Sequence, residues 1–443
     1  MIALKNARIA EISPASIRES LDVLIEGNTI TDVGRGIAGK YSPEVEIDCA
    51  GKLIMSGFVC GHNHFYSGLA RGMLADIPPS PDCVSRLQKL RGDLDRALDE
   101  EAVIAGTRIC CLEAIASGTT AVVDHHSSQS YIRGSLDILR AGFEDTGLRG
   151  VLCFETTDRN GREAMLAGVE ENLRFARECG ERRAEGKQKP AGGGPGNGLS
   201  LIAGMIGGHA PFTLSDEGLK LLGAAVEETG LGFHLHCAED RFDSSHSHAV
   251  YGKDIIRRLD EYGLITERTL IAHGLYLRES EIDYLNERGA FLAHNPRSNM
   301  NNTVGYNHRL PRYAGTVLGT DGMGSDMLEE LKFGFFKHQD SGGPLTPEDF
   351  TRFLFNGNRI LESSFGGKFG RIEPGYAADL VISSYRSPTP LSAENLSGHM
   401  IFGMSSKDVE TVLVNGRIVY RDRSFPGDVD TIYRRAREAA DRS

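Results

Sequence analysis

Several polar side chains stand where short apolar runs end, and they are of the types that hold a divalent ion and move protons beside it. The run Leu53-Ile54-Met55-Ser56-Gly57-Phe58-Val59 leads into Cys60-Gly61-His62-Asn63-His64. On an extended strand residues i and i+2 share a face, so the imidazoles of His62 and His64 can converge on one ion from the strand's C-terminal end. Alone, that spacing is equally compatible with a structural pair. A second run ends in Phe233-His234-Leu235-His236-Cys237-Ala238-Glu239-Asp240, which adds an imidazole and a nearby carboxylate. His234 and His236 share a face, so periodicity does not choose the ligand, and the other is then a hydrogen-bonded core histidine. Ile271-Ala272-His273-Gly274 and Val317-Leu318-Gly319-Thr320-Asp321-Gly322 each put one polar group at the end of an apolar run. The neighbouring glycines permit close approach of a loop or substrate. Such a set suits hydrolysis, in which an ion acidifies a water and a carboxylate moves its proton.

The elements that must carry these groups alternate. Apolar runs such as Ala121-Val122-Val123, Gly150 to Phe154, Phe233 to His236, Leu270 to His273 and Phe291 to His294 read as strands. Between them, Asp99 to Ser117, Glu163 to Cys179, Ser215 to Thr229 and Glu279 to Arg288 read as helices, several with acidic or serine starts. This alternation predicts an α/β fold, a (β/α)8 TIM-like barrel over residues 58–367, with its site at the C-terminal ends of the strands. Residues 1–57 and 368–443 read as β structure, with hairpin turns at Gly27-Asn28 and Asn415-Gly416, and predict a small composite β-sandwich domain formed by both termini. Residues 181–198 are charged and then glycine-rich; they read as a mobile surface insertion, with a lid as the alternative. Asp124-His125-His126 also looks metal-like, but adjacent histidines on a strand point oppositely, which leaves it at most a supporting place behind the ligands.

Composition narrows the function classes. The 443-residue chain carries a net charge of −12, which argues against capture of nucleic acid or an anionic membrane and favours a small neutral or cationic substrate. Its eight cysteines form no C-x-x-C pair and read as reduced thiols of a cytoplasmic protein. Neither a signal peptide nor a membrane span is expected.

The ordered set resembles the amidohydrolase superfamily, in its aminohydrolase branch of guanine, S-adenosylhomocysteine and triazine-processing enzymes, nearest to aminohydrolases of the SsnA type. The resemblance runs over essentially the whole chain and includes residues 63–72 (Asn-His-Phe-Tyr-Ser-Gly-Leu-Ala-Arg-Gly), 155–160 (Glu-Thr-Thr-Asp-Arg-Asn), 209–213 (His-Ala-Pro-Phe-Thr) and 294–302 (His-Asn-Pro-Arg-Ser-Asn-Met-Asn-Asn). It implies one divalent metal ion, zinc first and iron second, on His62, His64, His236 and Asp321, and so selects His236 over His234. It also implies that Glu239, His273 and Asp321 are catalytic. Cys237-Ala238 and Asn63 depart from the family's usual residues without removing a ligand. The implied reaction is hydrolytic deamination of an amino-substituted, aminopurine-like heterocycle by a metal-bound hydroxide, releasing ammonia. Family members often form homodimers, and the sequence carries no oligomer signal of its own.

A cyclic-amide ring-opening enzyme or a chlorohydrolase is the close rival, and a catalytically silent metal-binding assembly partner is the rival of another class. Ring-opening relatives bridge two metals with a carboxylated lysine, whereas this chain has no lysine between Lys89 and Lys187. The silent scaffold would have no use for Glu239 or an open coordination position. Phe65, Tyr66, Arg71, Glu155, Arg159, His209, Arg297 and Asn299 fall in loops expected at the barrel mouth and are the candidate substrate contacts.

Overall fold

The computed structural model describes residues 1–72, 96–184 and 199–441. Strands β1 (Ile2–Ile12), β2 (Ala15–Glu26), β3 (Thr29–Gly34), β4 (Val45–Asp48) and β5 (Leu53–Ser56) come first. The barrel strands follow: β6 (Phe58–Asn63), β7 (Thr119–His126), β8 (Arg149–Phe154), β9 (Ile202–Gly204), β10 (Ile206–Gly207), β11 (Phe233–Cys237), β12 (Leu270–His273), β13 (Phe291–His294) and β14 (Thr316–Leu318). The chain then returns to the terminal domain with β15 (Leu380–Ser383), β16 (Val409–Val414) and β17 (Arg417–Tyr420).

The two ends of the chain share one sheet. β15 pairs with β5 in antiparallel register, Val381 opposite Met55, and so joins the C-terminal strands to the N-terminal ones. The eight strands form one continuous hydrogen-bonded sheet that branches at β1, which takes β2 on one edge and both β4 and β5 on the other. Leu4, Ile9, Val23, Ile25, Ile54, Leu380 and Leu413 make its private core. Both expected hairpin turns are present, and they touch: a Cβ on Gly416 would lie 2.0 Å from the Gly27 carbonyl oxygen. Only glycine allows that approach.

In the barrel, β6 to β9 and β10 to β14 are two parallel ladders. β9 and β10 are separated only by Met205, whose amide donates to the Leu152 carbonyl at 3.0 Å, so together they act as the fourth strand. The eighth strand meets the first through an Asn63–Asp321 bridge and through the amides of Thr320 and Asp321, which donate to the His62 carbonyl at 2.9 and 3.0 Å. Alternation sorts the side chains: Val59, Ala121, Val123, Val151, Ala203, Met205, Leu270, Ala272, Ala293 and Val317 fill the interior, while Val122, Leu152, Phe154, Leu235 and Ile271 pack outward against the helices.

The helices start where the sequence predicts. Asp99 caps Glu100–Ala116 by accepting from Ala102, and Ser215 caps Asp216–Thr229 by accepting from Gly218. The helix expected over Glu163 to Cys179 runs from Arg162 to Ala184, so the first residues of the 181–198 insertion are helical. The rest of that insertion, 185–198, lies outside the described residues. The seven described cysteines are free and buried; Cys83 is outside the described residues. Among the described residues no helix is long and apolar enough to cross a membrane.

Candidate active site

The first two histidines reach the barrel interior through an irregularity. Val59 and Gly61 face inward, and the register of β6 against β7 then shifts between Cys60 and Asn63. A bulge of this kind re-aims side chains, and here it turns His62 and His64 inward toward β11. His62 Nδ1 lies 2.9 Å from His234 Nε2, while His64 Nε2 lies 3.0 Å from His236 Nε2 and 2.8 Å from Asp321 Oδ1.

Second partners orient each ring. His64 Nδ1 donates to the His125 carbonyl at 2.7 Å with Glu155 Oε1 at 3.1 Å, and His236 Nδ1 donates to the His209 carbonyl at 2.9 Å. The Nε2 atoms of His64 and His236 are thereby left for the interior, and His62 Nε2 is buried without a hydrogen-bond partner. Around a tetrahedral zinc with bonds of about 2.0–2.1 Å, neighbouring ligand atoms stand about 3.4 Å apart. The donor atoms stand somewhat closer than that, at 2.8 and 3.0 Å, so a small ion entering between them would spread the cluster by about half an ångström. His62, His64, His236 and Asp321 could therefore hold a divalent ion, and the donor set of imidazoles and a carboxylate suits one.

Electrostatics separates these histidines. Burial holds His62, His236 and His125 well below the ordinary imidazole range and pushes His234 and His126 down to about 3. Burial opposes charge on His64 too, yet the carboxylates of Asp321 and Glu155 outweigh it and raise His64 to about 10.

The candidate proton-handling groups sit on three strand ends. His273 belongs by parity to the outward face of β12, since Leu270 and Ala272 point inward. Its φ of 76° breaks that alternation and brings the ring into the site. Asp321 has φ 52°, and Ala238, just before Glu239, has φ 50°. Left-handed backbone at non-glycine residues costs on the order of 1–3 kcal/mol each and persists where surrounding structure enforces it. His273 Nε2 ends 3.8 Å from Glu239 Oε2 and 3.8 Å from Asp321 Oδ2.

The candidate substrate contacts divide. Tyr66, with its ring 5.0 Å from that of His64, and His209, 5.3 Å from His236, border the cluster. Glu155 is buried between His64, His125 and His209, the last at 3.9 Å. Asn299 accepts from His273 Nδ1 at 2.8 Å. Phe65 is a core residue stacked on Phe143 at 5.0 Å. Arg159 lies beside Thr157, its Nε 3.3 Å from the hydroxyl. Arg71 is committed to Glu113 at 2.5 and 2.7 Å, and Arg297 to Glu329 and the buried Glu330, so either would have to give up an ion pair to meet a ligand.

Sequence reasoning missed three contributors. His125 does face opposite to His126, as alternation requires, but its ring is one of four imidazoles able to share an ion with His62, His64 and His236, and both its nitrogens lack a hydrogen bond. A single histidine at an inward parity on β7 was the available signal. Ser298 and Asn302 contact Asp321 and Glu239; they lie in the 294–302 motif, where nothing in spacing distinguishes them.

Known proteins resemble the chain over most of its length. Residues 53–419 match the model of the Amidohydrolase family. The chain is 31% identical over 423 residues to a 5-methylthioadenosine/S-adenosylhomocysteine deaminase of Pelotomaculum thermopropionicum, covering 93% of this chain and 90% of that one. It is also 31% identical over 415 residues to a 5'-deoxyadenosine deaminase of Methanothermobacter thermautotrophicus, covering 90% and 89%. In structure it superimposes on an adenosine deaminase from Xanthomonas campestris crystallised with zinc, with a TM-score of 0.82, 23% identity, and coverage of 100% and 98%.

Proposed function

Because the chain belongs to the amidohydrolase family, we propose that it deaminates an amino-substituted, purine-like heterocycle by hydrolysis, releasing ammonia and the oxo-heterocycle. The observation that carries this reading is the approach of Glu239, His273 and Asp321 to one another beside imidazoles whose Nε2 atoms face the same interior. The ligands of one divalent ion are assigned to His62, His64, His236 and Asp321. The fourth strand, Ile202–Gly207, offers no lysine to bridge a second ion, which favours deamination over ring opening. Zinc is the first choice because a protein of the same fold is crystallised with it; iron is the second, since imidazole and carboxylate suit both.

A divalent ion held there supplies Lewis acidity and lowers the pKa of a water toward about 7. The protein's own groups then manage the protons. Glu239 takes one proton from the attacking water and hands it to a ring nitrogen, which makes the amino-bearing carbon electrophilic, and Asp321 and His273, the latter within a short shift of both carboxylates, carry the water's second proton to the amine as the C–N bond breaks and ammonia leaves. Tyr66, Glu155 and His209 are the substrate contacts nearest this chemistry, while Phe65, Arg71, Arg159, Arg297 and Asn299 would act through the partners they already hold. The relatives named for 5'-deoxyadenosine, 5-methylthioadenosine and S-adenosylhomocysteine make adenine nucleosides the first class to test.

The test is an ammonia-release screen of metal-loaded protein on adenine nucleosides, guanine, pterins and triazines, repeated with Glu239→Gln at equal metal content. Loss of about 100-fold or more in kcat is expected for the variant. Wild-type turnover by Glu239→Gln would refute the role, and release of no ammonia from any of these rings would refute the reaction.

A further inference from the structure

One short helix touches all three proton-handling groups. The helix Pro296–Asn301 follows β13, and its residues Ser298 and Asn299, with Asn302 at its C-cap, are buried. Ser298 Oγ donates to Asp321 Oδ2 at 2.5 Å. Asn299 Oδ1 accepts from His273 Nδ1 at 2.8 Å. Asn302 Nδ2 donates to Glu239 Oε1 at 3.2 Å and to Ser298 Oγ at 3.3 Å. Residues four apart in a helix lie one above the other, so Ser298 and Asn302 form one ridge, and Asn299 is the next position around.

We propose that Ser298, Asn299 and Asn302 are positioning residues that divide the labour of each catalytic group between its two polar atoms; the proposal rests on the deaminase reading of the site. In Asp321, Oδ2 is taken by Ser298, while Oδ1, which also accepts from the Gly322 amide at 2.8 Å, lies 2.8 Å from His64 Nε2 on the side of the metal ligands. In His273, a proton fixed on Nδ1 by Asn299 leaves the lone pair on Nε2, which is buried without a hydrogen bond between Glu239 and Asp321. In Glu239, the hold of Asn302 on Oε1 leaves Oε2 facing His273. The neutral imidazole tautomer is set by the partner of the other nitrogen, and groups of this kind change affinity or activity by about 10–100-fold when removed.

The helix is itself held from behind. The Arg297 amide donates to Glu330 Oε1 at 3.0 Å and its Nε to Oε2 at 2.5 Å, against the helix Met327–Asp340. Pro296 stands at the start of the helix, where its missing amide proton costs nothing.

The experiment compares wild type, Asn299→Asp, Asn299→Leu and Ser298→Ala, all metal-loaded. Nitrogen NMR of 15N-histidine protein without substrate reads the tautomer of His273, its signal assigned by His273→Gln. The expected result is an Nδ1-protonated His273 in wild type and Asn299→Asp, and a loss of that signature in Asn299→Leu. In turnover, Asn299→Leu should lose about 100-fold in kcat with KM within about 3-fold, and Asn299→Asp should recover most of it. Ser298→Ala should weaken zinc binding about 10-fold in a chelator competition and leave the His273 signal unchanged. An Nε2-protonated His273 in wild type, or an unaltered spectrum in Asn299→Leu, overturns the proposal. Because the spectrum needs no substrate, it decides this point even if no ring in the screen is deaminated.

Discussion

Metal loading should release a proton from His64, and its affinity should climb steeply with pH on that account. The carboxylates of Asp321 at 2.8 Å and Glu155 at 3.1 Å raise its pKa to about 10, so the metal-free protein keeps this imidazole charged at neutral pH. His62 and His236, held well below the usual range by burial, are already neutral and give up nothing. An imidazole must be deprotonated to ligate, so below about pH 10 the apparent affinity rises about tenfold per pH unit. Between pH 6.5 and 8.5 that is about 100-fold, or about 2.7 kcal/mol at about 1.36 kcal/mol per unit. The sign follows from the raised pKa: low pH favours the protonated, metal-free state. Zinc binding measured by chelator competition at both pH values, with calorimetry in buffers of different ionisation enthalpy to count protons, tests this. The expected slope is at least one, with one proton from His64 throughout and a second from the metal-bound water appearing above about pH 7; Glu155→Gln should flatten the dependence by removing one of the two carboxylates. An affinity flat across this range, or release of no proton, would mean that His64 is neutral in the metal-free protein and would refute the reasoning.

Two further predictions concern stability. Arg149 is fully buried, donates to Asp379 at 2.7 and 3.1 Å and to Asn415 at 3.0 Å, and stacks near Phe365 and Phe369, so it links the start of a barrel strand to the terminal sheet. Arg149→Met should cost about 3–5 kcal/mol in denaturant unfolding by stranding the buried Asp379, and Arg149→Met with Asp379→Leu should recover much of it; a single variant within about 1 kcal/mol of wild type contradicts this. Thr346, exposed and hydrogen-bonded to Asp349 and to none of the site residues, caps the helix Pro347–Phe365 in a reciprocal arrangement, so Thr346→Ala should cost about 1 kcal/mol with kcat and KM unchanged, and an unshifted melting temperature counts against the cap.

Much of the frame could be read from the chain because it depends on local periodicity. The helix Glu279–Arg288 and the strands Leu270–His273 and Phe291–His294 have the predicted bounds, since the apolar pattern, the glycine after the helix and the strand lengths all agree. The single branched sheet of the terminal domain was not readable as such, because pairing of β1 with both β4 and β5 is a long-range choice that alternation leaves open. Within the site, strand parity explains the inward His234 and His236 but fails for His273, which faces inward only through a left-handed backbone. It also fails for His62 and His64, whose direction follows a register shift. Neither event leaves a mark in residue type, since both are enforced by neighbours distant in sequence. Asn299 shows the same limit from the other side: its motif placed it at the mouth, but only the fold reveals that its carbonyl oxygen faces His273.

The seam of the barrel bears on one of these distortions, the register shift that turns His62 and His64 inward. The first and eighth strands meet through the His62 carbonyl, which accepts from Thr320 and Asp321, and through the Asn63–Asp321 bridge. Gly319 lies against His62, where a Cβ would come within 2.8 Å of the histidine's own Cβ and 2.9 Å of its amide nitrogen, so the two strands approach as closely as backbones can. That approach brings Asp321 within 2.8 Å of His64, two residues along the opposite strand. A carboxylate and imidazoles gathered this tightly leave polar atoms unpaired, and the buried Nε2 of His62 is one of them. An ion on these atoms would satisfy them and bind the two edges of the seam together at once. The left-handed Asp321 backbone stands at this seam, while the other two left-handed residues of the site, Ala238 and His273, stand at the ends of β11 and β12.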